Sequence, residues 1–301
     1  MKKLIEIITA DGTFSLVSDQ FKESFHSNKG ALEETRSKFI NPSNLERFKD
    51  SSVNVLDICF GMGYNSALLF EKLLNQSSLL NWYGLEIDKR PLNYSLNNEN
   101  FKNLWDPKVL EILDSLNLYG EFLNKKFICK LLWGDARDQI NKIPNDINFD
   151  LIFLDSFSPQ KCPELWTFEF LQKLSKKLKL GGYLITYSSA AAIRKVFLNL
   201  GLNIYSIQIN SIASNTWSDG TMATYSKNKK EFKSNSTFKF LTIMENEHLQ
   251  TKASIPYRDP NAKSSSKEII ERRLKEQSSS KLLETNKWRR KWQLTKFTIR
   301  S

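Results

Sequence analysis

Apolar and polar positions follow two different periods along the chain, and the change between them predicts the fold. Apolar runs bounded by polar or glycine residues predict strands at residues 53–58, 81–87, 127–133, 149–154 and 183–187. Segments with helical spacing of apolar residues lie between them, as at residues 64–74 and 165–178. Strands that alternate with helices favour an α/β fold with a mostly parallel, doubly wound, Rossmann-like sheet.

The two ends of the chain follow other patterns. Residues 4–39 alternate around Asp11 and Gly12 and then become helix-like, which predicts a hairpin-and-helix cap. The runs at residues 203–209 and 221–225 leave no room for a crossover helix and predict an antiparallel edge hairpin. We therefore expect three parts: a cap at residues 1–50, a main domain at 51–226, and a partly helical or disordered extension at 227–301.

Composition excludes several classes of protein. With 301 residues, 40% hydrophobic and 12% aromatic, the chain can bury a substantial core. Cys59, Cys129 and Cys162 are widely spaced and only two histidines are present, so neither a zinc site nor a disulfide framework is expected. The first residues lack a signal-peptide cleavage site, and no apolar run approaches membrane-spanning length. We expect a cytoplasmic protein that makes no membrane contact.

The excess positive charge is confined to the predicted extension. Residues 227–301 contain 19 Lys and Arg against 8 Asp and Glu, whereas the remainder of the chain is neutral. Trp288 and Trp292 are interleaved with cations there, three of which lie between them, as stacking on bases and contact with phosphates would require. This pattern favours a nucleic acid partner, although a solvated tail that only aids solubility would also be basic.

A glycine loop follows the first strand of the main domain. Ser66 occupies the third glycine position of the dinucleotide fingerprint, which argues against NAD. Asp57, Gly61 and Gly63 instead resemble the loop that binds S-adenosylmethionine, with Cys59 at its first glycine position. Glycines there let backbone N–H groups approach the methionine carboxylate and the ribose. Plain packing of a helix on a strand is the alternative.

Acidic residues follow the next strands in order. Glu86 ends the second strand, where a carboxylate can accept both ribose hydroxyls, and Asp135 ends the third, within reach of the adenine amino group. Either could instead be an ordinary helix cap. Asp155 closes the fourth strand, where it can orient an amine for methyl transfer without a strongly raised pKa. Its alternative role is to cap the loop before Pro159.

Two aromatic residues follow Asp155. Phe157 can stack on a base, although packing in the core is the usual role of such residues. Trp166 lies on the apolar face of a predicted helix, and we expect it in the core.

Several motifs in order resemble the methyltransferase part of the MnmC-like tRNA-modification enzymes. They lie at residues 11–13, 25–36, 60–65, 154–159 and 163–166, and the resemblance covers residues 9–225. It implies a class I methyltransferase that transfers a methyl group from S-adenosylmethionine to 5-aminomethyl-2-thiouridine at the tRNA wobble position. Asp155 would be the catalytic aspartate beside the amine. Substrate contacts would fall on Phe157, Pro159 and Glu33, and cofactor contacts on Asp57, Phe60, Gly61, Gly63, Asn65, Glu86, Asp135 and Ala136.

The chain also departs from that family. No flavin-binding segment is recognisable, so we expect no FAD and no metal, and an amine that arrives ready-made. Residues 216–220 replace the family's basic pair ahead of the last edge strand, a loss for which the extension would compensate by binding tRNA. Two alternatives remain: a small-amine methyl- or aminopropyltransferase of the spermidine-synthase kind, and an RNA-binding protein with a degenerate methyltransferase fold. No feature of the sequence indicates the oligomeric state.

Overall fold

The computed structural model describes residues 3–76, 78–208, 218–226 and 237–294. The chain divides into two compact units, Met1–Phe157 and Ser158–Ser301. Compactness does not define functional domains, so the three-part division of the chain stays a prediction.

The first unit opens with an antiparallel sheet. Its strands are β1 (Leu4–Ile8), β2 (Phe14–Ser18) and β3 (Glu23–Ser24), in the order β1-β2-β3. The turn between β1 and β2 holds Gly12 at a φ of 79°. Asp11 fixes this turn, because its Oδ1 accepts hydrogen bonds from Thr9 Oγ1 at 2.8 Å and from Thr13 N at 3.0 Å. The predicted hairpin is confirmed.

A helical segment follows this sheet. It consists of α1 (Ala31–Glu34), a π-helix (Thr35–Ile40) and α2 (Asn41–Ser43). Gly30 precedes it with a φ of 148°, and a Cβ there would lie 2.0 Å from Asp11 Oδ2. Only glycine admits this close approach, through which Asp11 Oδ2 accepts a hydrogen bond from Glu33 N at 3.2 Å. The predicted helix is therefore confirmed in place, with an unpredicted π-helix inside it.

The main sheet of the first unit is mostly parallel, as predicted. Its strands are β4 (Ser52–Ile58), β5 (Leu79–Glu86), β6 (Glu121–Leu123), β7 (Phe127–Trp133) and β8 (Phe149–Leu154). The order is β8-β4-β5-β7-β6, and all pairs are parallel except β6 with β7. The helices between them are α3 (Tyr64–Leu74), α4 (Arg90–Leu96), α5 (Glu99–Lys102), α6 (Pro107–Tyr119) and α7 (Ala136–Gln139). Val53, Val55 and Leu56 in β4 are fully buried, as expected for a central parallel strand.

The second unit is built on an antiparallel sheet. Its strands are β9 (Leu178–Thr186), β10 (Asn203–Ile207), β11 (Gly220–Thr224) and β12 (Phe238–Lys239), in the order β12-β10-β11-β9. Its helices are α8 (Phe168–Lys176), α9 (Ala191–Asn199), α10 (Ile243–His248), α11 (Ser266–Ser279) and α12 (Thr285–Lys291). The predicted antiparallel pair is confirmed by β10 and β11. Trp166 is fully buried, which confirms its predicted place in the core.

A buried ion pair joins α10 to α9 and is hydrogen-bonded to this antiparallel sheet. Arg194 Nη1 lies 2.8 Å from Glu245 Oε1, and both side chains are almost completely buried. Arg194 also donates to Thr221 Oγ1 and Ser218 Oγ, while Ser206 Oγ donates to Glu245. Since nearly every polar atom of the pair has a partner, the desolvation cost of burying both charges is offset.

Trp288 belongs to the core, so its predicted role in stacking on a base is wrong. The ring is fully buried and stacks on His248 at 4.1 Å between centroids, and its Nε1 donates to Met244 O at 3.1 Å. Trp292 Nε1 donates to Glu247 Oε2 at 2.9 Å. Residues 216, 217, 227–236 and 295–301, on which part of the tRNA prediction falls, lie outside the described residues. Across the ranges that the structure describes, no helix is long and apolar enough to cross a membrane.

Candidate active site

The glycine loop between β4 and α3 is a sharp turn in which three alternate residues have positive φ angles. Cys59, Gly61 and Gly63 have φ angles of 65°, 57° and 88°. The backbone N–H of Cys59 donates to Leu85 O at 2.9 Å, which ties the loop to the neighbouring strand. A Cβ on Gly63 would lie 3.1 Å from the buried ring of Phe60. Glycine at positions 61 and 63 therefore lets the chain adopt these left-handed conformations without a side-chain penalty.

Asp57 lies beneath this loop with one carboxylate oxygen unsatisfied. Its Oδ2 accepts a hydrogen bond of 2.6 Å from Ser66 Oγ, whereas the buried Oδ1 has no hydrogen-bond partner. Burial raises the pKa of Asp57 to about 7; the hydrogen bond from Ser66 opposes this shift and the charge of Glu86 adds to it. A buried acceptor without a donor is costly, so a ligand that brings an ammonium or hydroxyl group would stabilise it.

Glu86 ends β5 and connects the glycine loop to the turn that follows this strand. Its Oε2 accepts from Gly61 N at 2.8 Å, and its Oε1 accepts from Ile87 N at 2.7 Å and Asp88 N at 2.8 Å. Burial nevertheless raises its pKa, and these three N–H groups oppose the shift. Glu86 therefore organises the backbone of the pocket, and its contact with ribose stays a prediction.

Asp135 caps the helix that follows β7. Its Oδ1 accepts from Arg137 N at 2.9 Å, and its Oδ2 lies 2.7 Å from Arg137 Nη2. Ala136 begins the helix and is buried. The arrangement matches the capping alternative for Asp135, and contacts of Asp135 and Ala136 with adenine stay predictions.

Asp155 and Asn65 form the polar centre of the site. Asp155 comes directly after β8, and Asn65 is the second residue of α3, immediately beyond the glycine loop. Asn65 Nδ2 donates a hydrogen bond of 2.7 Å to Asp155 Oδ2. The strand end and the loop therefore meet at one point, which is where open α/β sheets bind their ligands.

The surroundings of Asp155 shift the pKa of its carboxyl group. Burial raises its pKa to about 8, and the nearby charges of Glu34 and Asp57 act in the same direction. The hydrogen bond from Asn65 and the charge of Lys38 oppose this shift. From the sequence, the reaction required no strongly raised pKa of Asp155, because that argument did not include the acidic and buried surroundings of the carboxyl group.

Aromatic residues of the N-terminal cap pack on Phe157, two residues after Asp155. Phe157 stacks on Phe21 at 4.4 Å between ring centroids and contacts the edge of Phe25 at 5.1 Å. Phe25 in turn lies within 3.5 Å of where a Cβ on Gly61 would be. A contact of Phe157 with a base stays a prediction, and Phe21 and Phe25 are site residues that sequence analysis missed.

Two adjacent glutamates of the cap have different surroundings. Glu33 is exposed and lies 3.8 Å from Arg36, so its predicted contact with substrate stays a prediction. Glu34 turns inward, where its Oε2 accepts from Ser27 N at 2.6 Å and its Oε1 lies 2.7 Å from Lys38 Nζ. Pro159 lies in the second compact unit and is half-buried; its role at the substrate stays a prediction.

Comparisons with known proteins agree with this geometry. Residues 99–208 match a family profile described as an S-adenosyl-L-methionine-dependent methyltransferase. The crystal structure of MNMC2 from Aquifex aeolicus superposes with a TM-score of 0.76 and 27% identity, and the match covers 93% of this chain and 87% of that chain.

Two curated relatives are similar over their sequences. The uncharacterized protein MJ0670 of Methanocaldococcus jannaschii is 34% identical over 65% of this chain and 53% of its own length. The tRNA 5-methylaminomethyl-2-thiouridine biosynthesis bifunctional protein MnmC of Leptospira borgpetersenii is 28% identical over 62% of this chain and 30% of its own length. The chain thus spans about half or less of the length of these relatives.

The fold, the glycine loop and these matches identify the chain as an S-adenosyl-L-methionine-dependent methyltransferase with the Rossmann-like class I fold. Within that class, its sequence and structure are similar to those of MnmC and MNMC2 proteins.

The residues of the loop fit S-adenosyl-L-methionine. The unsatisfied Asp57 Oδ1 would accept a hydrogen bond from its ammonium group, and the positive φ angles of Gly61 and Gly63 give the sharp turn beside which it would lie. Among the described residues, no group of three or more His, Cys, Asp or Glu side chains is placed to hold a metal ion.

Proposed function

We propose that this chain methylates the aminomethyl group of 5-aminomethyl-2-thiouridine at the tRNA wobble position, giving 5-methylaminomethyl-2-thiouridine. The observation that carries the proposal is the hydrogen bond between Asn65 and Asp155, which fixes a carboxyl group beside the cofactor loop. The similarity to MnmC and MNMC2 proteins supports the choice of substrate. Location in the cytoplasm, where such a tRNA would be met, stays a prediction.

The chemistry requires an amine without its extra proton. S-adenosyl-L-methionine supplies a methyl group on a sulfonium, which is already activated for transfer. An ammonium has no lone pair, so a proton must leave the nitrogen before the N–CH₃ bond forms, and the electrons of the broken S–CH₃ bond remain on sulfur. Asn65 holds Asp155 Oδ2, and we assign Oδ1 as the oxygen that orients the amine and takes its proton.

The raised pKa of Asp155 suits this role. A carboxylate with its usual pKa near 4 is too weak a base to take a proton from an ammonium group efficiently. With a pKa of about 8, Asp155 is a stronger proton acceptor once it is ionised. The positive charge of the arriving ammonium favours the ionised form at that moment.

The tRNA would be held mainly by the second unit. Residues 158–301 contain 26 Lys and Arg against 11 Asp and Glu. Several arginines there are structural, such as Arg273, which donates to Ile255 O at 2.7 Å. Lys275, Lys287 and Arg290 are exposed, and we assign them to contacts with phosphates.

The experiment that tests the function is a methyl-transfer assay. The full chain is incubated with labelled S-adenosyl-L-methionine and total tRNA that lacks the wobble methyl group, and the nucleosides are then analysed by mass spectrometry. We expect label in 5-methylaminomethyl-2-thiouridine with the unmodified chain and almost none with Asp155→Asn. Absence of label, in a preparation shown to bind the cofactor, would overturn the proposal. Polyamines would then be the next substrates. A chain that binds tRNA but not the cofactor would instead indicate the degenerate alternative.

A further inference from the structure

The π-helix of the cap lies against α3, which carries Asn65, and against β8, which ends just before Asp155. Residues Thr35–Ile40 pack on α3, which begins with Tyr64 and Asn65. The ring of Phe39 also contacts the ring of Phe153, two residues before Asp155, at 5.7 Å between centroids. A six-residue π-helix is rare, and such segments are frequent at functional sites. The position of the π-helix therefore connects the cap with the site.

An ion pair is buried at the start of this π-helix. Glu34 Oε1 and Lys38 Nζ lie 2.7 Å apart, and their side chains are only 14% and 10% exposed. Ser27 N adds a hydrogen bond of 2.6 Å to Glu34 Oε2. A buried ion pair is often no more stabilising than apolar residues of the same volume. Stability alone therefore does not explain why two charges are placed here.

The charges of this pair act on Asp155. Glu34 raises the pKa of Asp155 and Lys38 lowers it, and both act in addition to burial and to the charge of Asp57. His26 is also near Glu34, but burial lowers its pKa to about 4, so it is neutral at pH 7. The ionised groups that act on Asp155 at neutral pH are therefore Glu34, Lys38 and the partly ionised Asp57.

We propose that Glu34 and Lys38 are positioning residues that act as a charge balance for Asp155, with Glu34 strengthening it as a proton acceptor and Lys38 limiting that effect. The inference rests on the proposed function in one respect: it takes Asp155 as the group that receives the proton of the amine. Each residue acts on Asp155 through its charge.

Two substitutions in the same ion pair separate this role from a structural one. Glu34→Gln removes the negative charge, and Lys38→Met removes the positive one. We expect the midpoint in the pH dependence of kcat/KM for methyl transfer to move down in Glu34→Gln and up in Lys38→Met, by about half a unit to one unit each. Both changes break the same contact, so a merely structural pair would not move the midpoints in opposite directions. Arg36→Met removes an exposed cation from the same helix and should leave the midpoint unchanged.

A measurement without substrate keeps the inference separate from the proposed function. The side-chain carboxyl of Asp155 is titrated by ¹³C NMR in the full chain, with Asp155→Asn to assign its signal. Opposite shifts of this titration confirm the charge balance, even if no tRNA is methylated. Coincident titrations of Asp155 in the unmodified chain, Glu34→Gln and Lys38→Met would overturn it, even if tRNA is methylated.

Lys38→Met leaves Glu34 buried without its partner and is the variant at greatest risk of unfolding. The double variant Glu34→Gln/Lys38→Met contains neither charge and avoids that cost. Compared with Glu34→Gln alone, it reports the effect of Lys38, and we expect Asp155 to titrate at a higher pH in the double variant. Equal midpoints in these two variants would contradict the role of Lys38.

Discussion

Asn65 Nδ2 donates a hydrogen bond of 2.7 Å to Asp155 Oδ2 across 90 residues of sequence. The contact joins the helix after the glycine loop to the end of β8, so cofactor loop and catalytic carboxyl are held in one arrangement. Asn65 lies two residues after the last glycine of the loop, where a small shift of the turn would move its amide. A change in the conformation of the loop would therefore alter the hydrogen bond that Asp155 accepts.

The first prediction concerns Asp155 itself. Asp155→Asn keeps the size of the side chain but cannot take a proton, so we expect kcat to fall by about 10²- to 10⁴-fold. The affinity for S-adenosyl-L-methionine should remain within a few-fold of the unmodified chain, as measured by calorimetry. Loss of cofactor binding together with loss of the folded state would instead indicate a structural role.

The second prediction is a pH dependence of stability. The folded state holds the proton of Asp155 up to about pH 8, whereas the unfolded chain releases it near 3.8. Between these values the folded state binds more protons, so the contribution of Asp155 to stability falls as the pH rises. The Asp155→Asn variant has no carboxyl group to titrate, so its stability does not include this decrease. From pH 5 to pH 8.5, its free energy of unfolding in urea should therefore decrease less than that of the unmodified chain, by at least about 1 kcal/mol. Parallel pH curves would contradict the raised pKa.

Much of the site could be predicted from sequence because it depends on local order. An apolar strand followed by glycines fixes the strand–loop–helix unit, and acids at strand ends reach the same edge of a parallel sheet. Glu34 could not be predicted as the inward residue, because Glu33 beside it has the same chemistry. The π-helix and the capping of α1 by Asp11 decide which glutamate faces Lys38. Neither feature can be predicted from the spacing of apolar residues along the chain.

Trp288 was misassigned for a similar reason. Cations on both sides of Trp288 indicate a solvated surface when only neighbours in sequence are considered. Its partners, His248 and the carbonyl of Met244, are 40 or more residues away. Burial of the ring depends on these long-range contacts, whereas the flanking cations can extend their charged ends to solvent.

The third prediction concerns Cys59, whose φ of 65° is unusual for a residue with a side chain. Cys59→Val places a β-branched side chain in the left-handed region and should lower the free energy of unfolding by about 1–2 kcal/mol. Cys59→Gly relieves the backbone but makes the unfolded chain more flexible, so we expect a change smaller than about 1 kcal/mol. Denaturant unfolding of both variants tests this. Equal stability of Cys59→Val and the unmodified chain would contradict the left-handed conformation.

The fourth prediction concerns the ion pair between Arg194 and Glu245. Glu245→Gln leaves a guanidinium buried without a counter-charge, so we expect a loss of about 3–5 kcal/mol in the free energy of unfolding. The partly exposed pair of Lys102 and Glu99 provides the control, since Lys102→Met should cost less than about 1 kcal/mol. Similar costs for the two variants in urea would show that Arg194 is not truly buried.

The last prediction separates structural from tRNA-binding cations of the second unit. Reversing the three exposed charges in Lys275→Glu/Lys287→Glu/Arg290→Glu leaves the buried contacts of Arg273 and Trp288 intact. We expect weaker binding to tRNA and a shallower dependence of the binding constant on salt, by about one unit of slope for each phosphate that the variant no longer neutralises.

The matched control reverses three exposed lysines of the first unit, in Lys108→Glu/Lys125→Glu/Lys126→Glu, and thus makes the same change in net charge. If both triple variants weaken tRNA binding equally, net charge alone governs the affinity and the assigned cations do not bind the tRNA. If only the first variant binds tRNA more weakly and cofactor binding is unchanged in both, the second unit provides the tRNA surface. The salt slope then distinguishes the removal of phosphate-binding cations from a distorted fold, because misfolding would lower the amount of active protein without changing the slope.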